Sequence, residues 1–369
     1  MVEWKKFGEV ISVHTGEQLN RGNMTETGAY PVINGGRIAS GFTDKNNEIA
    51  NTITISQGGE SAGFISWINQ DFWAGAHCYV VENKEHNNLR FLFHVLKNNE
   101  NRIMSSKQGA GIPGLNRKSL YSLTIPIPSL EEQERIVGIL DTFTASIDNI
   151  KAQIEQRRKQ YEHYRNTLLT FSKDDDSVEW KTLEDIFELR NGYTPSKANS
   201  EFWTDGTIPW FRMEDIRDKG RILSDSYLHI TESAIKGKGL FKANSFILAT
   251  TATIGEHALL IADSLANQRF TNLKIRKSLI NNIDIKFMFY YMFVVDEFCK
   301  SHTNVSGFAS VDMNALKRMA IPIPSLARQQ EIVSILDTFE ASIANLEAQL
   351  EQRQKQYEYY REELLTNLS

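Results

Sequence analysis

From Ile136 onward, apolar residues fall at alternating steps of four and three: Ile136, Leu140, Phe143, Ile147, Ile150, Ile154, then, after Arg157, Tyr161, Tyr164 and Leu168. The same rhythm returns at Ile332, Leu336, Phe339, Ile343, Leu346, Leu350 and, after Arg353, Tyr357, Tyr360 and Leu364. A mean step of about 3.5 residues makes one apolar stripe along a helix, the pattern of a left-handed coiled-coil seam. Two long helices are predicted, paired through Leu140, Phe143, Ile147, Ile150, Ile154, Leu336, Phe339, Ile343, Leu346 and Leu350. Each follows an I-P-I-P-S-L segment (125–130 and 321–326), where proline disfavours an earlier start and Ser129 or Ser325 can cap the first turn. Ser129 with Glu132 spells a capping box; Arg328 stands at the corresponding position of the second copy and removes it. Arginine breaks each seam once. Two readings are open for it: a stem lying along apolar surface with its head in water, or a polar contact that fixes register.

The two helices are copies of one segment. Residues 120–170 align with residues 316–366 at a constant offset of 196, without gaps, and 33 of the 51 positions are identical. A shorter echo, V-E-W-K, occurs at 2–5 and 178–181, an offset of 176. The stretches between, roughly 6–119 and 182–315, look unlike each other. The expected domains are therefore 1–128 and 173–324, with conserved spacer helices at 129–172 and 325–369. About 40 helical residues at roughly 1.5 Å each make a rod near 60 Å long. Only a few residues separate the first rod from the second globular domain, so an antiparallel pair needs that domain merely to bridge neighbouring ends. The expected fold class is α+β: two globular domains separated by two long antiparallel coiled-coil helices, with pseudo-twofold symmetry. On that plan Val2–Lys5 docks near the end of the second helix, as Val178–Lys181 docks near the end of the first.

Within the variable stretches, Thr52–Ile55, Cys78–Val81, Phe246–Ala249 and Thr271–Ile275 read as strands. Leu89–Asn98 and Ile285–Cys299 read as helices. The similar ordering predicts one shared α+β fold, with strand order left open.

Bulk properties narrow the class. Hydrophobic residues at 41% and charged residues at 24% are ordinary for a globular protein, and no apolar run approaches the roughly 18–20 residues of a membrane span. Met1–Lys6 lacks the apolar stretch of a secretory signal, and the cytoplasm is expected. Cys78 and Cys299 lie far apart and spell neither a disulfide framework nor a zinc site. The net charge of −5 argues mildly against a protein that binds naked DNA unaided. Much of the excess acid lies in 321–369, with 4 Lys+Arg against 8 Asp+Glu. Asp174–Asp176 reads as a solvated linker, and the E-W-K triplets lack the acidic partner of a nuclease site. HExxH, Walker A, a helix-opening G-x-G-x-x-G and the N-P-P-aromatic motif are all missing, so no catalytic site and no metal are expected.

The variable–conserved order, I-P-I-P-S-L, I-L-D-T-F (139–143 and 335–339) and K-Q-Y-E (159–162 and 355–358) together resemble the specificity subunit of type I restriction–modification enzymes. G-Y-T-P-S (192–196), G-T-I-P-W (206–210) and N-Q-R-F (267–270) add to the likeness, which spans essentially the whole chain. The resemblance implies a non-catalytic subunit whose two recognition domains each read half of a split, asymmetric site in double-stranded DNA. It implies two modification (methyltransferase) subunits docked on the helices and restriction/translocase subunits beyond them. S-adenosylmethionine, ATP and Mg would belong to those partners, with no cofactor here and no membrane. A coiled-coil scaffold with two protein-binding heads is the competing reading.

Base readout needs amides, guanidiniums and hydroxyls on loops that approach base edges. The expected DNA-binding residues are Asn34, Gly35, Arg37, Gln57, Gly58, Lys107 and Gln108 in the first domain. In the second they are Thr194, Lys197, Arg212, Thr250, Asn267, Gln268 and Arg269. Ser306–Gly307 is a further candidate stretch. Each of these also fits an ordinary turn between strands.

Overall fold

A computed structural model of the chain describes residues 2–107, 114–304, 309–366 and 368. Four helices organise it: α1 (Leu89–Asn98), α2 (Leu130–Leu168), α3 (Ile285–Ser301) and α4 (Leu326–Thr366). The chain divides into two compact units: unit 1 is Met1–Ile154 with Leu346–Ser369, and unit 2 is Glu155–Asn345. Each unit thus holds one globular domain and a part of each long helix.

In unit 1 an antiparallel sheet runs in the order Ile11–Thr15, Cys78–Asn83, Thr52–Ser56, Ile65–Ile68. In unit 2 the order is Phe187–Asn191, Phe270–Ile275, Ser245–Ala249, His257–Leu260, and Ile222–Leu223 adds a parallel edge. A second, three-stranded sheet recurs as well. Tyr30–Ile33 lies antiparallel to Phe42–Thr43 and parallel to Trp73–Ala74; Ile208–Phe211 lies antiparallel to His229–Ile230 and parallel to Leu265–Ala266. The two domains therefore share one α+β fold, and the strands and helices expected from the sequence are all present. The strand order, which residue patterns left open, is the same in both.

The echoed tetrapeptides now have a structural reason. Glu3–Lys6 pairs antiparallel with Thr124–Ile127, and Glu179–Thr182 pairs with Ala320–Ile323. Each E-W-K strand is hydrogen-bonded to the I-P-I-P strand that opens a long helix. That strand shares a core with the end of the other helix, Leu364 and Leu365 in unit 1 and Leu168 and Leu169 in unit 2, which is where the symmetry put the tetrapeptides.

The long helices start where the serines predicted. Ser129 Oγ accepts from the Glu132 N–H, and Ser325 Oγ from the Arg328 N–H, both at 3.4 Å. The Glu132 carboxylate instead takes two bonds from the Arg135 guanidinium at 2.7 Å, so the expected reciprocal half of the capping box gives way to a charge-assisted pair, which is stronger than a neutral bond. One turn on, a buried glutamine ties each helix to its domain. Gln133 Oε1 accepts from the Asn88 N–H at 2.8 Å while its Nε2 donates to the Pro128 carbonyl at 2.9 Å. Gln329 repeats this with Asp284 N–H at 2.8 Å and the Pro324 carbonyl at 2.8 Å.

Within unit 1 the helices run antiparallel. Ile136 and Leu140 share a core with Leu364 and Leu365, and the Phe143 ring stacks on Tyr360 at 5.3 Å, with the Arg353 guanidinium 5.6 Å from it. Within unit 2, Ile332 and Leu336 share a core with Leu168 and Leu169. Phe339 stacks on Tyr164 at 5.1 Å, with Arg157 5.8 Å away. The seam arginines therefore lie within cation–π range of the facing helix's phenylalanine. Leu140 and Leu336 are wholly buried and Ile147, Ile150 and Ile154 nearly so; Phe143, Phe339, Ile343, Leu346 and Leu350 are half-buried. A bare helix pair leaves each seam one open flank, which accounts for the partial exposure.

The domains also grip the helices through polar clusters at matching positions. Asp141 accepts from Arg90 Nε and pairs with His94 Nε2, both at 2.8 Å, and His94 Nδ1 lies 3.3 Å from the Tyr357 hydroxyl. In unit 2, Asp337 accepts from Lys286 Nζ and the Tyr290 hydroxyl, both at 2.6 Å. Burial tends to raise the Asp141 carboxyl, but bonds from His94 and Arg90 outweigh it and hold it below the usual carboxylate range. These partners sit 196 residues apart: Arg90 and Lys286, His94 and Tyr290, Asn88 and Asp284. The repeat therefore reaches into α1 and α3, where Phe91-x-Phe93 matches Phe287-x-Phe289. This corrects the impression that the intervening stretches are unlike each other throughout.

Candidate nucleic-acid interface

Backbone hydrogen bonds place the two domains' surface loops in register. Gly16 N–H meets the Cys78 carbonyl and Gly75 N–H the Ile33 carbonyl at 3.1 and 2.9 Å; in unit 2, Gly192 meets Phe270 and Asn267 meets Phe211 at 2.8 and 3.1 Å. Gln57 N–H donates to the His77 carbonyl at 2.9 Å, as Thr250 N–H donates to Arg269 at 3.0 Å. A Cβ on Gly16 would lie 2.1 Å from the Ala74 carbonyl oxygen, and one on Gly192 would lie 2.3 Å from that of Asn267. Glycine is thus required at both positions, because the chain crosses the turn in backbone contact.

In unit 2 this frame forms a groove of about 370 Å³ whose lining includes Thr194, Lys197, Arg212, Asn267, Gln268 and Arg269. Six expected residues, separated by as many as 75 positions, come together there. Arg217 adds a fourth cation and Glu214 an anion. Thr194 Oγ1 donates to Gln268 Oε1, which fixes the amide and leaves its N–H₂ to donate outward. Arg212 Nε is buried without a hydrogen-bond partner, with the nearest carboxylate, Glu214, at 3.8 Å. Arg269 and Lys197 are exposed. Thr250 sits beneath, its buried hydroxyl 3.0 Å from that of Thr271, so it supports the Arg269 turn from inside.

In unit 1 the expected residues lie around the matching turn. Asn34 Oδ1 accepts from the His77 N–H at 3.3 Å, and Gly35, at φ +84°, offers its carbonyl to the buried Ser56 hydroxyl. Gln57 is held through its backbone by His77 and Leu115, and Gly58 bridges Gly114. Arg37 is exposed, its guanidinium 5.4 Å from the Phe64 ring centre, and Lys107 Nζ donates to the Glu60 carbonyl at 2.9 Å. Gln108, with Gly109–Gly111, and Ser306–Gly307 lie outside the described residues. His77, which carries this turn, was not among the expected residues; the offset of 176, carried on past Gly16 and Gly192, sets Gln18 and Arg21 opposite Thr194 and Lys197.

Deeper in unit 2, His257 Nδ1 pairs with Asp296 Oδ2 at 2.7 Å, and Arg221 reaches the same oxygen at 3.2 Å. Burial pushes the imidazole below its ordinary value despite the carboxylate beside it. A group whose folded-state pKa is depressed contributes full stability above its unfolded value, about 6.5 for histidine. That contribution is lost as pH falls from there through the folded value. Denaturant titrations are expected to show lower stability at pH 5.5 than at pH 7.5, and His257→Gln should flatten that dependence; His94, also depressed by burial, sustains the remainder.

The architecture is that of a DNA-specificity protein: one recognition fold present twice, on copies of one helix. The family model for the type I restriction modification DNA specificity domain matches residues 1–157 and again residues 176–354, and the chain belongs to that family. It is 31% identical over 392 residues to the EcoR124I/EcoR124II specificity subunit of Escherichia coli, covering 99% of this chain and 94% of that one. It is 52% identical to the EcoprrI specificity subunit of the same organism over 200 residues, about half of each chain (51% and 50%). Among solved structures it resembles the type I S subunit from M. genitalium, with a TM-score of 0.62, 19% identity and 100% and 97% of the two chains covered. A structure from a study of assembly and conformational transition in the type I R-M system gives a TM-score of 0.64 at 18% identity, over 98% and 97% of the chains; these two likenesses concern the fold. The chain is a non-catalytic specificity subunit, and the restriction and methylase activities of such systems belong to other subunits. A role without catalysis calls for no cofactor here, and its partners are DNA and the rest of a restriction–modification complex. Among the described residues no helix is long and apolar enough to cross a membrane, and no cluster of His, Cys, Asp or Glu is arranged to hold a metal.

Proposed function

We propose that this subunit reads an asymmetric, bipartite site in double-stranded DNA, residues 1–128 selecting one half and residues 173–324 the other. Residues 129–172 and 325–369 serve as the spacer and as the platform for two modification subunits, which supply S-adenosylmethionine-dependent adenine methylation. Restriction/translocase subunits bring the ATP- and Mg-dependent steps, and the complex works in the cytoplasm. The observation that carries this reading is one backbone frame bearing different polar side chains. Asn267-Gln268-Arg269 stands where Gly75-Ala76-His77 stands in unit 1, and Arg212 stands where Asn34 does. Unlike chemistry on equal frames gives unlike half-sites.

Thr194, Lys197, Arg212, Gln268 and Arg269 are proposed as the unit 2 contacts, with Asn267 and Thr250 supporting them. Asn34, Gly35, Arg37, Gln57, Gly58 and Lys107 are proposed as the unit 1 contact region. The −5 net charge fits a reader whose partners supply many phosphate contacts. Coexpression with modification subunits and sequencing of methylated bases is expected to return one split motif with two different halves; a symmetric motif, or none, would overturn the proposal. Arg269→Ala is expected to cost about 1–3 kcal/mol of discrimination at one or two bases of a single half-site, measured as methylation rates on duplexes with single-base changes.

A further inference from the structure

One turn in each domain is held by an asparagine oxygen, but the asparagine comes from a different place. In unit 2, Asn267 Oδ1 accepts from the Arg269 N–H at 2.9 Å, within the turn itself. In unit 1, Asn34 Oδ1, from the end of the neighbouring strand, accepts from the His77 N–H at 3.3 Å. The exchange is steric. A Cβ on Gly75, which stands where Asn267 does, would lie 2.2 Å from Asn34 Oδ1, so in unit 1 glycine at 75 is what leaves room for the Asn34 side chain.

Asn34 and Asn267 therefore spend their acceptor on the backbone. The side chain each turn presents to solvent is the next but one, His77 or Arg269, both exposed. Their carbonyls are held by the N–H groups of Gln57 and Thr250, so both residues ride on a backbone fixed at either side. The adjoining loop follows the same correspondence. The offset of 176 that relates the E-W-K strands persists through Gly16 and Gly192. It sets exposed Gln18 and Arg21 where Thr194 and Lys197 line the unit 2 groove.

We infer that His77, Gln18 and Arg21 are specificity-determining residues of unit 1, meeting base edges at the positions that Arg269, Thr194 and Lys197 occupy in unit 2. The inference rests on the DNA-reading function proposed above. Its chemistry suits major-groove edges: a carboxamide pairs with adenine N6 and N7, a guanidinium with guanine O6 and N7, and an imidazole donates or accepts one bond. Asn34 is a positioning residue for the His77 turn.

The test uses the full chain in complex with its modification subunits, with methylation rates measured on duplexes carrying single-base changes in each half-site. His77→Ala and Gln18→Ala are each expected to lower discrimination at least tenfold at one or more bases of a single half, and to leave the other half unchanged. His77→Arg, which copies unit 2, is expected to change which base is preferred. All three replace exposed side chains, and unchanged thermal melting verifies their folding. Wild-type preference in all three variants overturns the inference, as does a uniform loss on every duplex with base preference intact. A wild-type complex that yields no split motif overturns the DNA-reading proposal and this inference together. An intact wild-type motif that these variants leave untouched overturns only the residue assignment.

Discussion

Leu140→Asp is expected to abolish stable folding of unit 1, and Leu336→Asp that of unit 2. Both leucines are wholly buried. Leu140 lies in a core with Ile136, Leu365 and the Phe91–Leu96 face of α1; Leu336 lies with Ile332, Phe287 and Leu169. Truncation to alanine removes buried methyl groups and leaves a cavity, a loss of about 2–5 kcal/mol. An aspartate there adds an unpaired charge in an apolar setting. The polar cluster beside it at Asp141 already carries a carboxylate, which holds Arg90 and His94. The aspartate variant should therefore lose several kcal/mol more than the alanine variant, comparable to the whole stability of an ordinary domain. Denaturant titration of both variants, followed by far-UV circular dichroism, checks the order; equal losses would show that the seam admits water at this level.

Exchange of residues 6–119 for the corresponding segment of a relative with a different specificity should replace one half of the methylated motif and leave the other half intact. Each mismatched base costs roughly 1–3 kcal/mol, so a half-site of several bases switches preference by many orders of magnitude. The structure adds a condition on the donor segment. It must bring an Asn or Asp at position 88, whose side-chain oxygen caps α1 by accepting from the N–H groups of 90 and 91, and hydrogen-bond donors at 90 and 94 for Asp141. Unit 2 meets the same condition with Asp284, Lys286 and Tyr290. A segment that satisfies these contacts should yield a stable hybrid, read out by sequencing methylated bases. Change in both halves would overturn the division of labour between units.

The helices and their starts were legible because each signal is local. The four-and-three spacing, the prolines and the serine caps all act within a turn or two of the chain, and the exact repeat made the two copies unmistakable. The candidate surface was legible only in part. Thr194, Arg212 and Arg269 were selected by residue type, yet nothing local says that they share one groove. The central strands explain why: Thr52–Ser56 and Ser245–Ala249 are buried at every position, so they lack the in–out alternation from which a facing surface is read. His77 escaped notice because it is a lone histidine after Gly75-Ala76, with no motif around it.

By itself the sequence determined the two long helices, the twofold internal repeat, the order of domains and the membership of a DNA-specificity family, all of which follow from patterns within a few turns of chain or from direct self-comparison. The tertiary structure alone decided which loops meet, that Asn34 and Asn267 hold equivalent turns from different places in the chain, and that Asp141 and Asp337 anchor α1 and α3 to the helices. Apart from the Asn267 turn, those contacts join residues tens of positions apart, and their geometry is set by sheet order and side-chain packing that no local period encodes.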